Sequence, residues 1–79
     1  DAARHFEQAL DVVPSHAALN LNLIQIRMKQ MDIKDTAINP QHALAQCRRC
    51  LDALRNLPSQ HRQYRRYQAM KRKLENLND

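Results

Sequence analysis

The stretch Ala2-Ala-Arg-His-Phe6-Glu-Gln-Ala9-Leu10-Asp-Val-Val-Pro14 decides how the chain is read. Ala2, Phe6 and Ala9 recur three or four residues apart, so they fall on one side of a helix. The two small residues let a neighbouring helix come close, and Phe6 fills the space between. Pro14 has no N–H and blocks a further turn. A helix is therefore expected over 1–13, with its partner against Phe6.

Outward from this segment the same periodicity continues. Ser15 is a plausible N-cap for a second helix over 16–31. That helix has two apolar arcs, Leu21, Ile24, Met28 and Met31 on one side and Leu19, Leu23 and Ile26 nearly opposite. Asn22, Gln25 and Lys29 form one polar strip between them, Asn20 and Arg27 the other. A helix that is apolar on two sides is sandwiched between neighbours. Residues 32–39 read as a loop. Asn39 before Pro40 is a cap followed by a good first helical residue, and the third helix is expected over 40–57. Its inner arc is Ala43, Leu44, Cys47, Cys50, Leu51, Leu54 and Leu57, with Arg48, Arg49, Asp52 and Arg55 outside. Pro58 ends it, and Ser59 is placed to cap a fourth helix over 60–77. There Tyr64, Tyr67, Met70, Leu74 and Leu77 make a single stripe, as expected of a solubilising terminal helix.

Composition agrees with an all-α fold. The 79 residues include no glycine, three prolines and no tryptophan, and a chain of this length buries only about 60–65% of its unfolded surface. No apolar run approaches the roughly 18 residues of a membrane span, and no secretory signal pattern is present. The net charge is +5, with much of the positive charge late, in Arg62, Arg65, Arg66, Lys71, Arg72 and Lys73. An acidic protein surface, an anionic peptide or nucleic acid would each answer that charge.

The order of small residue, aromatic, small residue and closing proline in 2–14 resembles the end of a tetratricopeptide repeat. Met28-Lys29-Gln30-Met31-Asp32 looks like the end of a first repeat helix and its turn, although Ile24 and Met31 fill positions where small residues are usual. Ala43, Cys47 and Cys50 take the small, aromatic and small slots of the next helix. This implies an insertion of about seven residues relative to the usual period of about 34. The resemblance implies an antiparallel helix-hairpin solenoid fragment of about four helices. Residues 1–14 would be the second helix of a truncated repeat, 15–58 an irregular repeat with an inserted loop at 32–39, and 59–79 a capping helix. The chain then begins inside a repeat, as an excised piece of a longer protein would. Leu19-Asn-Leu-Asn-Leu-Ile-Gln-Ile26 looks like the divergent repeats that follow receiver domains in bacterial response regulators, which implies a scaffold in signal transduction.

Little in the sequence carries covalent chemistry. Cys47-Arg-Arg-Cys50 has C-x2-C spacing, but zinc takes four ligands and no second pair exists, leaving only His42 and His61 to complete a site. Both cysteines fall mid-helix on the core arc, away from the helix N-terminus that would favour a thiolate, so buried packing is expected. Without glycine there is no phosphate-binding loop. His5, His16, His42 and His61 are scattered. No catalytic residue, metal or cofactor is therefore assigned, and an enzyme is not expected.

The functional expectation is a protein-interaction module binding a protein or peptide segment, acidic in character, in the cytoplasm. Its candidate surface is Asn22, Gln25, Met28, Lys29, Arg62, Arg65 and Arg66. Repeat domains of this family that bind peptide C-termini use a groove asparagine and a basic pair four residues apart. The resemblance gives those places to Asn22 and to Arg62 and Arg66, whose paired N–H donors suit a carboxylate. The alternative is a basic helical nucleic-acid-binding segment in which Tyr64 and Tyr67 interleave with arginines. Both tyrosines fall on the apolar stripe, so sequence-specific nucleic-acid binding is not expected; nor is a membrane. A further route is self-association through the apolar face near Phe6.

Overall fold

A computed structural model describes residues 2–77. Four helices and no strand occur among the described residues: α1 (Ala2–Val12), α2 (Ala17–Asp32), α3 (Pro40–Ala53) and α4 (Tyr64–Leu77). α2 lies at the centre and packs against each of the others, while α3 and α4 also touch. The Cα atoms fill a slab of 38 × 31 × 15 Å, so both broad faces stay near solvent and the core is thin.

The two-arc reading of α2 explains its central place. Leu21 and Ile24 from one arc and Leu23 from the other are all buried. Leu19, Ile26, Met28 and Met31 are half-buried. Much of the remaining core is small, with Ala3, Ala17, Ala43, Cys47 and Cys50 all buried. Small side chains allow close helix approach, and the Cys47 thiol sits 3.9 Å from the Ile24 carbonyl oxygen. Leu54, Tyr67 and Leu74 complete the buried set. Leu51, expected in the core, is only half-buried.

Several boundaries differ from the sequence expectation, each for a local reason. The N-cap of α2 is His16 rather than Ser15; its Nδ1 accepts from the Leu19 N–H at 3.3 Å. Asn20, read as part of a polar strip, is buried, and its side-chain amide donates to the Pro14 and His16 carbonyls at 3.0 and 2.9 Å. It thereby ties the α1–α2 turn to α2. α3 stops at Ala53 instead of continuing to residue 57. The Pro58 ring would clash with the carbonyl four residues back, at Leu54, and Leu57 is disfavoured in helical conformation before a proline. The chain leaves α3 through tight turns, with Leu54 N–H bonded to Leu51 and Arg55 N–H to Asp52. α4 correspondingly begins at Tyr64, not residue 60. Ser59 does not cap it; Gln63 supplies the carbonyl for the first helical bond, from Tyr67 N–H at 2.9 Å.

The end of α2 is a left-handed cap built without glycine. Lys34 has φ 56°, its N–H bonds to the Met31 carbonyl, and the Asp35 N–H reaches back to Gln30. These are the two bonds of a Schellman motif, whose left-handed position usually belongs to glycine. In this chain, which has no glycine, lysine carries the cost of about 1–2 kcal/mol for that conformation.

α1 shows a rotated stripe. Ala3 is buried, Phe6 and Leu10 are half-buried against the core, and Ala2 is exposed. The face toward α2 is thus Ala3, Phe6, Glu7 and Leu10, one residue's turn from the expected Ala2, Phe6 and Ala9. On that face Glu7, its side chain 41% exposed, pairs with Arg27 of α2 at 3.2 Å. The expected exposed face near Phe6 is reduced by this packing and by His5, whose ring meets Phe6 edge-on at 6.3 Å. Val12 stays exposed.

Candidate protein-interaction groove

The broad face formed by α2, α3 and α4 carries an open groove of about 780 Å³. α2 contributes Gln25, Met28 and Lys29, and the turn after it Lys34; α3 contributes Leu44 from its first turns; α4 contributes Met70, Lys73 and Leu77. Met28, Met31 and Met70 all line this groove, and the chain has no other methionine. Residues 70, 73 and 77 share one face of α4 by helical spacing, which is why the basic helix presents an apolar edge here. Lys29, Lys34 and Lys73 line the groove against a single carboxylate, Asp32.

Of the seven residues expected from sequence, Gln25, Met28 and Lys29 line this groove. Asn22 and Arg66 meet beside it. The Arg66 guanidinium donates to Asn22 Oδ1 at 2.8 Å and to Gln25 Oε1 at 2.6 Å, bracing α4 against α2. Both bonds use the same terminal nitrogen, Nη2, so a guanidinium with five N–H donors retains others. Arg62 and Arg65 are exposed and do not line the groove. The sequence reading missed Met31, Asp32, Lys34, Pro40, Gln41, Leu44, Met70, Lys73 and Leu77. Met70 and Leu77 were expected on the core stripe of α4, yet Met70 is half-buried and Leu77 is 57% exposed. The available signal was position: Leu77 is the last apolar residue of the stripe, one turn beyond Leu74, the last buried residue of α4.

A second polar cluster joins α1, α2 and α3 on another face. Arg27 donates from Nε to Gln46 Oε1 at 2.6 Å, from Nη1 to Gln30 Oε1 at 3.0 Å and from Nη2 to Glu7 Oε1 at 3.2 Å. Gln46 returns a bond to Glu7 Oε2 at 2.8 Å. The Arg27 side chain is only 14% exposed, so its charge is satisfied by three acceptors rather than by water. This is a structural clamp, since every donor points at a neighbouring helix or along α2.

The cysteines are free and buried. Burial pushes the Cys47 thiol up to about 11, helped by Cys50 and opposed by Arg27. Cys50 is likewise raised to about 11 by burial, with Arg49 opposing and Glu7 adding to the shift. Neutral, enclosed thiols are poor nucleophiles and poor metal ligands. His42 and His61 are exposed, and no group of three or more metal-ligating side chains gathers among the described residues. The two tyrosines lie 6.1 Å apart with rings tilted by 46°; Tyr67 is buried and Tyr64 half-buried. No helix among the described residues is long and apolar enough to cross a membrane.

No protein-family model matches the chain, and neither a curated protein nor a solved structure is found similar to it.

Proposed function

We propose that this chain is a non-catalytic protein-interaction module that binds an acidic segment of a partner through the face shared by α2, α3 and α4. The observation that carries this reading is the groove itself, with methionines from two helices on its floor and three lysines around it. Methionine is flexible and polarisable and serves surfaces that must fit a partner's apolar side chains. Lysines at the edge favour an acidic partner and speed its encounter. Arg66, Asn22 and Gln25 extend the polar border beside it.

The paired helices and sandwiched α2 are in keeping with the tetratricopeptide resemblance, and a place in a bacterial signalling scaffold is the setting that resemblance suggests. Free, buried thiols suit a reducing compartment such as the cytoplasm. The basic charge also invites nucleic acid, but the tyrosines that would stack on bases are engaged in packing. Any such binding would rest on phosphate charge and fall steeply with salt. Titration at about 0.15 M salt, where the screening length is about 8 Å, separates the readings. An acidic peptide is expected to retain measurable affinity there, while duplex and single-stranded DNA weaken without regard to sequence. Sub-micromolar, sequence-selective nucleic-acid binding under those conditions would overturn the interaction reading.

A further inference from the structure

We infer that the occupant of the groove is an amphipathic helix whose apolar stripe is flanked by acidic residues. This inference rests on the interaction reading above and adds the shape and chemistry of the partner segment.

Two features of the site lead to a helix. The receptor offers no strand edge among its described residues, so an incoming extended segment has no backbone to pair with. Its own N–H and C=O groups would lie over an apolar floor of Met28, Met31, Leu44 and Met70, where an unpaired backbone group is costly. A helix arrives with those groups already bonded and presents only side chains, at i, i+3 or i+4, and i+7. The groove's volume of about 780 Å³ accepts a row of side chains and leaves the helix itself seated on the rim. Leu77 stands 57% exposed at one end, apolar surface that such a stripe would cover.

Charge selects the flanks. Lys29 on α2, Lys34 in the following turn and Lys73 on α4 line the groove from separate elements, and Asp32 is the single opposing charge. A helix with carboxylates bordering its apolar stripe meets an ammonium on either side. A basic amphipathic helix meets repulsion.

The test uses fluorescence anisotropy with the intact chain and three labelled synthetic peptides of about five helical turns. One has apolar residues at helical spacing with glutamates flanking them. The second has the same composition shuffled to remove the spacing. The third replaces the glutamates by lysines. The first is expected to bind about tenfold or more tighter than the second, and the third not at all. Lys73→Glu and Leu77→Glu, both at exposed positions that leave the core untouched, are each expected to weaken the first peptide about tenfold. Arg72→Glu makes the same charge change one residue away, outside the groove, and is expected to stay within about twofold. Equal binding of the spaced and shuffled peptides would overturn the helical occupant while leaving the acidic-partner reading standing. Equal weakening by Arg72→Glu and Lys73→Glu would overturn the groove as the site. Failure of both acidic peptides to bind would overturn the two readings together.

Discussion

Replacing Arg27 by methionine probes how α1 and α3 are held to the central helix. The substitution keeps most of the apolar stem, which also packs, and removes the guanidinium. Three donor bonds disappear, to Gln46, Gln30 and Glu7. A hydrogen bond to a charged group contributes about 1.5–3 kcal/mol and a neutral one about 0.5–1.5. Three facts reduce the sum. The Glu7 side chain is 41% exposed, so its carboxylate regains water; it also keeps the bond from Gln46; and a methionine side chain gains from burial. The net cost is expected at about 1–3 kcal/mol, large against a total of about 4–12 kcal/mol for a domain of this size. With a urea slope near 1 kcal/mol/M for so small a chain, the midpoint should fall by about 1–3 M. Far-UV circular dichroism during urea unfolding reads this directly. Glu7→Gln and the double variant close a cycle in which Glu7 and Arg27 should couple by about 0.5–1 kcal/mol, as a partly exposed pair does. Unchanged or raised stability in Arg27→Met would refute the clamp, because replacing a buried ionic group by a well-packed apolar one is neutral or stabilising where its bonds add nothing net.

Three other outcomes are expected. Lys34→Gly should raise stability by about 0.5–1 kcal/mol, since relief of the left-handed strain outweighs the greater chain entropy that glycine loses on folding; a melt showing destabilisation would count against the Schellman cap. Cys47 and Cys50 should label slowly with a thiol reagent at pH 8. Their folded values near 11 lie above the ordinary 9.0, so the stability they contribute is complete below pH 9 and is lost as pH rises through about 11. Cys47→Ala with Cys50→Ala should flatten that part of the pH–stability curve, and equal curves would remove the thiols from the account. Leu23→Ala should cost about 2–4 kcal/mol, because Leu23 is 2% exposed in the arc that makes α2 two-sided; stability equal to the parent's in urea melts would contradict the sandwiched helix.

The central helix was legible because its pattern is extreme. Leu21, Leu23 and Ile24 cannot all be buried on one face, so the sequence alone requires neighbours on both sides. Asn39-Pro40 was equally plain, since cap and first-turn proline act within three residues. The Asn39 side chain accepts from the Gln41 and His42 N–H groups as expected. What escaped was anything set by contacts between helices. The phase of α1 goes with a Glu7–Arg27 pair made to another helix, which no single-helix wheel contains. The early end of α3 was a local effect, the reach of Pro58 back to Leu54, that the apolar arc through Leu57 outweighed in the reading. α4 correspondingly begins at Tyr64, and its end at Leu77 lies one turn beyond Leu74, its last buried residue. The groove is set by how α2, α3 and α4 meet, so part of its α2 side was named from sequence and its α4 side was not.

The most direct measurement of the central claim uses the chain's own methionines. With 13C-methyl labelling, the three methyl groups of Met28, Met31 and Met70 report on one groove from two helices, α2 and α4. On addition of the acidic amphipathic peptide at about 0.15 M salt, all three signals are expected to shift together and saturate at the affinity measured by anisotropy. Saturable binding that leaves the three methyl signals in place would put the partner elsewhere on the molecule and contradict the account.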